Sequence, residues 1–102
     1  MMKLEYYVPE HSVKLTTEAL FRAGAGNIGN YDRCCWVTEG IGQFRPLAGS
    51  QPYAGRQGEL ERAPEMKVEM VFADECKPAV VAALHESHPY EMPAYQMFAV
   101  EG

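Results

Sequence analysis

Apolar residues in this chain recur at every second position, then at helical spacing, then again at every second position, and this cycle is repeated once; few folds accept that order. Leu4, Tyr6 and Val8 alternate with Lys3, Glu5 and Tyr7 before Pro9 ends the run, which reads as a strand. From about Glu10 the spacing lengthens. Val13, Thr17 and Leu20, with Thr16 and Ala23 beside them, form a helical stripe over roughly residues 10–23, and Gly24 stands where a C-terminal glycine is expected. Arg33 to Glu39 is rich in β-formers and reads as a second strand, with Trp36 either in the core or a contact on the opposite face. Glu65 to Phe72 places Met66, Val68, Met70 and Phe72 together as a third strand. Asp74 is the expected N-cap of a second helix, with Pro78 in its first turn, Val80, Val81 and Leu84 as its stripe, and an end near Ser87 at His88-Pro89. Ala94 to Val100 closes the chain as a strand. The fold class expected is α+β, a ferredoxin-like βαββαβ arrangement with an antiparallel sheet and two helices on one face.

The departure from this regularity is the stretch from Gly40 to Pro64, dense in Gly, Pro, Ser and Gln. A structureless loop of that length is uncommon in a compact domain unless it binds something or extends a hairpin. Gln43 to Leu47 is expected to form a short added strand, followed by a loop around residues 48–55, so that a hairpin projects over about 40–64. Phe44, Arg45 and Tyr53 would then be exposed, as interface anchors or as parts of a covering loop.

Composition bounds the rest. With 102 residues, 47% of them hydrophobic, the chain suits one core, and residues 1–102 are expected to form a single domain. Net charge is −5 with no run of Lys or Arg, so nucleic acid is not an expected partner. No apolar stretch approaches the ~20 residues of a membrane span. Met1 to Glu5 lacks the apolar core of a signal peptide, and a cytoplasmic protein is expected. Cys34, Cys35 and Cys76 are expected to be reduced thiols.

Two motifs carry chemistry. Gly24, Gly26 and Gly29 have the spacing of a dinucleotide-binding turn, but they follow a helix and precede a strand, whereas that turn must follow a strand and open a helix. The plain reading is a connector in which the glycines allow positive φ and Asn27 bonds the local backbone. The functional reading is an anion-binding nest of amides at Gly24, Gly26, Asn27 and Gly29, edged by Tyr31. In His88-Pro89-Tyr90-Glu91-Met92-Pro93, two prolines stiffen a histidine and a carboxylate. Either His88 caps the second helix while Glu91 pairs locally, or His88 and Glu91 hold a divalent metal ion with His85, or failing that His11, as third ligand. A divalent metal is the only cofactor the residues suggest. No nucleophile elbow, phosphate loop or paired-cysteine zinc spacing occurs, so a non-enzymatic protein is expected.

Read together, Gly24 to Tyr31, then Gly40-Ile41-Gly42-Gln43-Phe44-Arg45-Pro46, Glu65 and its strand, and His88-Pro89-Tyr90-Glu91 with Pro93-Ala94-Tyr95 resemble the small domain of the NIF-three-like (YqfO-type) proteins, which is inserted in some and stands alone in others. The His-Pro-Tyr-Glu-x-Pro ending also resembles CutA proteins. The resemblance implies a CutA/PII-like fold and a homo-oligomer, with a trimer expected, that binds a small-molecule effector or a protein partner. The CutA likeness adds divalent metal binding by His88 and Glu91 as the alternative. The di-metal site of the full-length family lies in its larger flanking domain and does not transfer to this chain.

Overall fold

The computed structural model describes residues 1–102. Strand β1 (Met2–Val8) leads through a 3₁₀ turn at Glu10–Ser12 into helix α1 (Val13–Arg22). Strands β2 (Trp36–Phe44) and β3 (Glu61–Phe72) form a long hairpin, helix α2 (Lys77–Ser87) follows a second 3₁₀ turn, and β4 (Tyr95–Ala99) ends the fold. The sheet order is β2-β3-β1-β4, antiparallel throughout. This is the expected ferredoxin-like α+β arrangement.

Strand alternation builds the two faces. Leu4, Tyr6 and Val8 of β1 and Met66, Val68, Met70 and Phe72 of β3 are buried with Leu20 of α1 and with Val80 and Leu84 of α2. The odd-numbered residues line the other face. There Lys3 reaches Glu69 at 2.8 Å, and Glu5 lies 3.6 Å from both Lys3 and Lys67. The bond from Lys3 holds the Glu69 carboxyl below its usual range. Trp36 pairs in register with Glu69, stands on this outer face and is 69% exposed, so it is a surface residue.

Three expectations change. The added strand at Gln43 to Leu47 is the continuation of β2, which runs unbroken to Phe44 while β3 starts at Glu61. Glycines at 40 and 42 weaken local strand preference, but nine paired positions in the hairpin outweigh it. Pro64 is tolerated because β1 ends opposite Met66, leaving β3 with only one neighbouring strand there. Asp74 is not an N-cap: it opens the 3₁₀ turn Asp74–Cys76, and neither that turn nor α2 has a side-chain cap.

One buried hydrogen-bond chain ties sheet to helix. Tyr6 donates to Thr16 Oγ1 at 2.8 Å, and Thr16 donates to the Ser12 carbonyl at 2.8 Å. Tyr6→Phe removes a donor and leaves Thr16 bonded, so it should cost about 1 kcal/mol; Thr16→Val strands a buried phenol and should cost about 1–3 kcal/mol. Urea denaturation of both variants checks the order.

Candidate functional site

The glycine segment is built as a connector. Gly24, at φ +106°, donates to the Phe21 carbonyl at 3.1 Å, and Ala25 donates to the Leu20 carbonyl at 3.0 Å, the paired bonds of a Schellman helix end. Gly26 donates to the Val71 carbonyl at 2.8 Å and accepts from the Cys34 amide at 2.8 Å, stitching the turn to β3 and to the approach to β2. The amides of Ile28 and Tyr31 bond each other's carbonyls at 2.9 Å. Asn27 turns its side-chain amide back to the Gly24 carbonyl at 3.3 Å. A nest needs successive free amides, and those of Gly24, Ala25, Gly26, Ile28 and Tyr31 are taken by the protein. Of the expected ligand site at Gly24, Gly26, Asn27, Gly29 and Tyr31, the amides of Gly24, Gly26 and Tyr31 are therefore used inside the protein.

A cleft of about 260 Å³ opens at the other end of the sheet. Val71 and Glu65 are six positions apart on β3, about 20 Å at ~3.4 Å per residue. Phe44, Tyr53 and Tyr90 form its aromatic wall, Glu65 and Glu91 contribute carboxylates, and Tyr7, Pro46, Pro52 and Met92 are among the other lining residues. Phe44, expected with Arg45 to bind a ligand together with the glycine turn, lines this separate cleft; Arg45 is exposed and does not line it.

Local structure holds each wall in place. The loop after β2 does not project freely but folds back: Tyr53 meets His11 Nε2 at 2.8 Å, and the Gln51 amide donates to Glu91 Oε2 at 3.0 Å. Tyr90 packs on Tyr53 and Phe44, with centroids 5.9 and 6.2 Å away. Its hydroxyl donates to Glu65 Oε2 at 2.6 Å. Burial, then the Glu65 carboxylate, push the Tyr90 phenol well above its usual range. Gly42 makes this latch possible, because a Cβ there would collide with Glu65 Oε1.

His88 is the turn's anchor. Its Nε2–H donates to the Tyr7 carbonyl at 2.7 Å, and its Nδ1 accepts the Tyr90 amide at 3.0 Å, which makes the ring the neutral Nε2 tautomer. Burial pulls its pKa below the ordinary 6.5. Both ring nitrogens are thus committed to the backbone. Glu91 turns to Gln51, His85 lies 3.4 Å from the Tyr95 hydroxyl, and no three His, Cys, Asp or Glu side chains are gathered as a metal-binding group. The expected metal ligands His88, Glu91 and His85 do not converge, because the first is used as a structural strut. Sequence reasoning passed over Tyr90, Glu65 and Gly42, whose relation depends on strand register and is invisible in local spacing.

No protein-family model matches the chain. It is 45% identical over 101 residues to the Bacillus subtilis protein named GTP cyclohydrolase 1 type 2 homolog, covering 99% of this chain and 27% of that protein. It is also 45% identical over 94 residues to the Mycobacterium leprae protein of the same name, covering 92% of this chain and 24% of that protein. The chain thus spans about a quarter of the length of these relatives. Among solved structures, a Bacillus cereus protein related to NIF3 superposes with a TM-score of 0.85 at 34% identity, over 99% of this chain and 26% of that one. CutA1 from Pyrococcus horikoshii superposes with a TM-score of 0.72 at 15% identity, over 100% of this chain and 85% of that one, a likeness of fold alone. The whole of this chain thus corresponds, at 34–45% identity, to one part of much longer NIF3-related (YqfO) proteins, and it shares its fold with CutA.

Proposed function

We propose that this domain is a non-enzymatic, homo-oligomeric binding module whose small-molecule effector occupies the cleft between the hairpin loop and the His-Pro-Tyr-Glu turn. The observation that carries this reading is the cleft itself: the rings of Phe44, Tyr53 and Tyr90 and two carboxylates converge on a concavity held by three side-chain bonds that join four chain segments. A binding role fits better than catalysis because the histidine and the tyrosine of the turn are tied down. His88 has both nitrogens on the backbone, and Tyr90 is latched to Glu65. The cyclohydrolase-related name belongs to relatives of which this chain spans about a quarter, and their activity is not carried over.

Assembly is supported by β2, an edge strand without a neighbour on its outer side. It displays Trp36 at 69% exposure on the outer face and Val37 at 43% and Ile41 at 64% on the opposite one, apolar surface at the edge that association covers. A trimer is the copy number implied by the family resemblance. Three free cysteines suit a reducing compartment such as the cytoplasm, and no helix is long and apolar enough to cross a membrane. Light scattering on the eluting protein at micromolar concentration should give the mass of three chains. Ile41→Lys should shift it towards one chain while leaving circular dichroism unchanged. A wild-type mass of one chain would overturn the assembly.

A further inference from the structure

We infer that the cleft selects an organic cation: a protonated amine or guanidine carried on an apolar body. The inference rests on the preceding reading that the cleft is the effector site, and it names the chemistry of the occupant.

The cleft lining has acceptors without a matching cation. Glu65 uses Oε2 for the Tyr90 hydroxyl, and its Oε1 lies over Gly42 with no protein donor. Glu91 uses Oε2 for the Gln51 amide, and its second oxygen receives no protein bond. Neither carboxylate forms an ion pair with a Lys, Arg or His, and no Lys or Arg lines the cleft. On the sheet's outer face nearby, by contrast, Glu5 and Glu69 are neutralised by Lys3 and Lys67. The cleft carboxylates are therefore the half of a charge pair that a ligand can complete.

Aromatic walls point to the same chemistry. The faces of tyrosine and phenylalanine rings carry negative quadrupole potential and attract a cation within about 6 Å. Phe44, Tyr53 and Tyr90 supply three such rings around the carboxylates, and Pro46, Pro52 and Met92 offer apolar contact for the body of the ligand. An anion would meet two carboxylates and no positive partner. A neutral apolar molecule would bury the carboxylates' remaining acceptors without supplying a donor, which is unfavourable for each group left unpaired. Glycine at 42 fits the same purpose, since it leaves open the space above the strand that Glu65 Oε1 occupies.

The test uses three probes of similar size, phenethylamine, 2-phenylethanol and phenylacetate, titrated into the 15N-labelled chain at low salt. Amide shifts are followed at Phe44, Tyr53, Glu65, Tyr90 and Met92. The expected result is saturable shifts confined to these residues, with phenethylamine at least tenfold tighter than the alcohol and no saturation by the carboxylate. Glu65→Gln and Glu91→Gln should each weaken phenethylamine at least fivefold, with amide spectra elsewhere unchanged. Equal affinity for amine and alcohol, or unaltered affinity in both Gln variants, overturns the cation inference while leaving the cleft as a binding site. Tighter binding of phenylacetate at the same residues does so as well. Shifts from all three probes that avoid these residues would instead overturn the cleft reading, and the cation inference with it.

Discussion

Gly26→Ala should lower the unfolding free energy by about 2–5 kcal/mol, a large part of the 5–15 kcal/mol typical of a domain. Two independent effects add. Gly26 sits at φ +89°, where an L side chain is strained, and a Cβ there would lie 2.8 Å from two Phe21 ring atoms and 3.2 Å from the Cys34 amide nitrogen. Relief by moving the Phe21 ring disturbs its place over the core, and relief by moving the backbone breaks the bonds from Gly26 to Val71 and Cys34. Gly29 is the internal control: its φ is +55° and nothing lies within 4 Å of where an added methyl group would stand, so Gly29→Ala should cost only about 1–2 kcal/mol of left-handed strain. Urea midpoints at constant m-value measure the difference. Equal losses in the two variants would show that steric crowding at Gly26 is not the larger effect.

Protonation of His88 should destabilise the fold. Folding lowers the ring's pKa below the ordinary 6.5, chiefly through burial, so the unfolded chain takes up the proton first as pH falls. The stability contributed by neutral His88 is fully present above about pH 6.5 and is lost progressively as pH drops towards the folded-state value. The structural reason is visible in the turn, where a protonated Nδ1 can no longer accept the Tyr90 amide. His88→Ala should cost about 2–5 kcal/mol at pH 8, because it leaves a cavity and an unpaired Tyr7 carbonyl. The loss should shrink between pH 7 and pH 5 as the wild type itself weakens. Urea denaturation of wild type and His88→Ala across that window is the measurement, and a difference independent of pH would refute the assignment. Glu69 does not confuse the window. Its carboxyl is held below the ordinary 4.5, so its contribution is lost only at more acid pH.

The same two residues show how differently local sequence and tertiary structure inform function. Gly26 was legible as a connector because a glycine turn after a helix cannot present its amides as a turn that opens a helix does, and the structure spends those amides on Leu20, Phe21 and Val71. His88 was legible as a rigid position between prolines, but its role was not. A histidine at a helix end can cap, ligate or support, and only the approach of Tyr7, 81 residues earlier in the chain, decides for support. Arg45 illustrates the opposite error: adjacent to Phe44 and chemically suited to a site, it stands exposed just past the end of β2 and does not line the cleft.

Spacing along the chain was enough to set the order of strands and helices and the buried face of β1 and β3, since both are properties of local pattern. Folding in three dimensions set where the hairpin ends, that the loop after it folds back onto His11 and Glu91, and that Glu65, Tyr90, Phe44 and Tyr53 meet around one cleft. Those facts depend on strand register across β2 and β3 and on contacts between residues 25 or more positions apart, which no local pattern encodes.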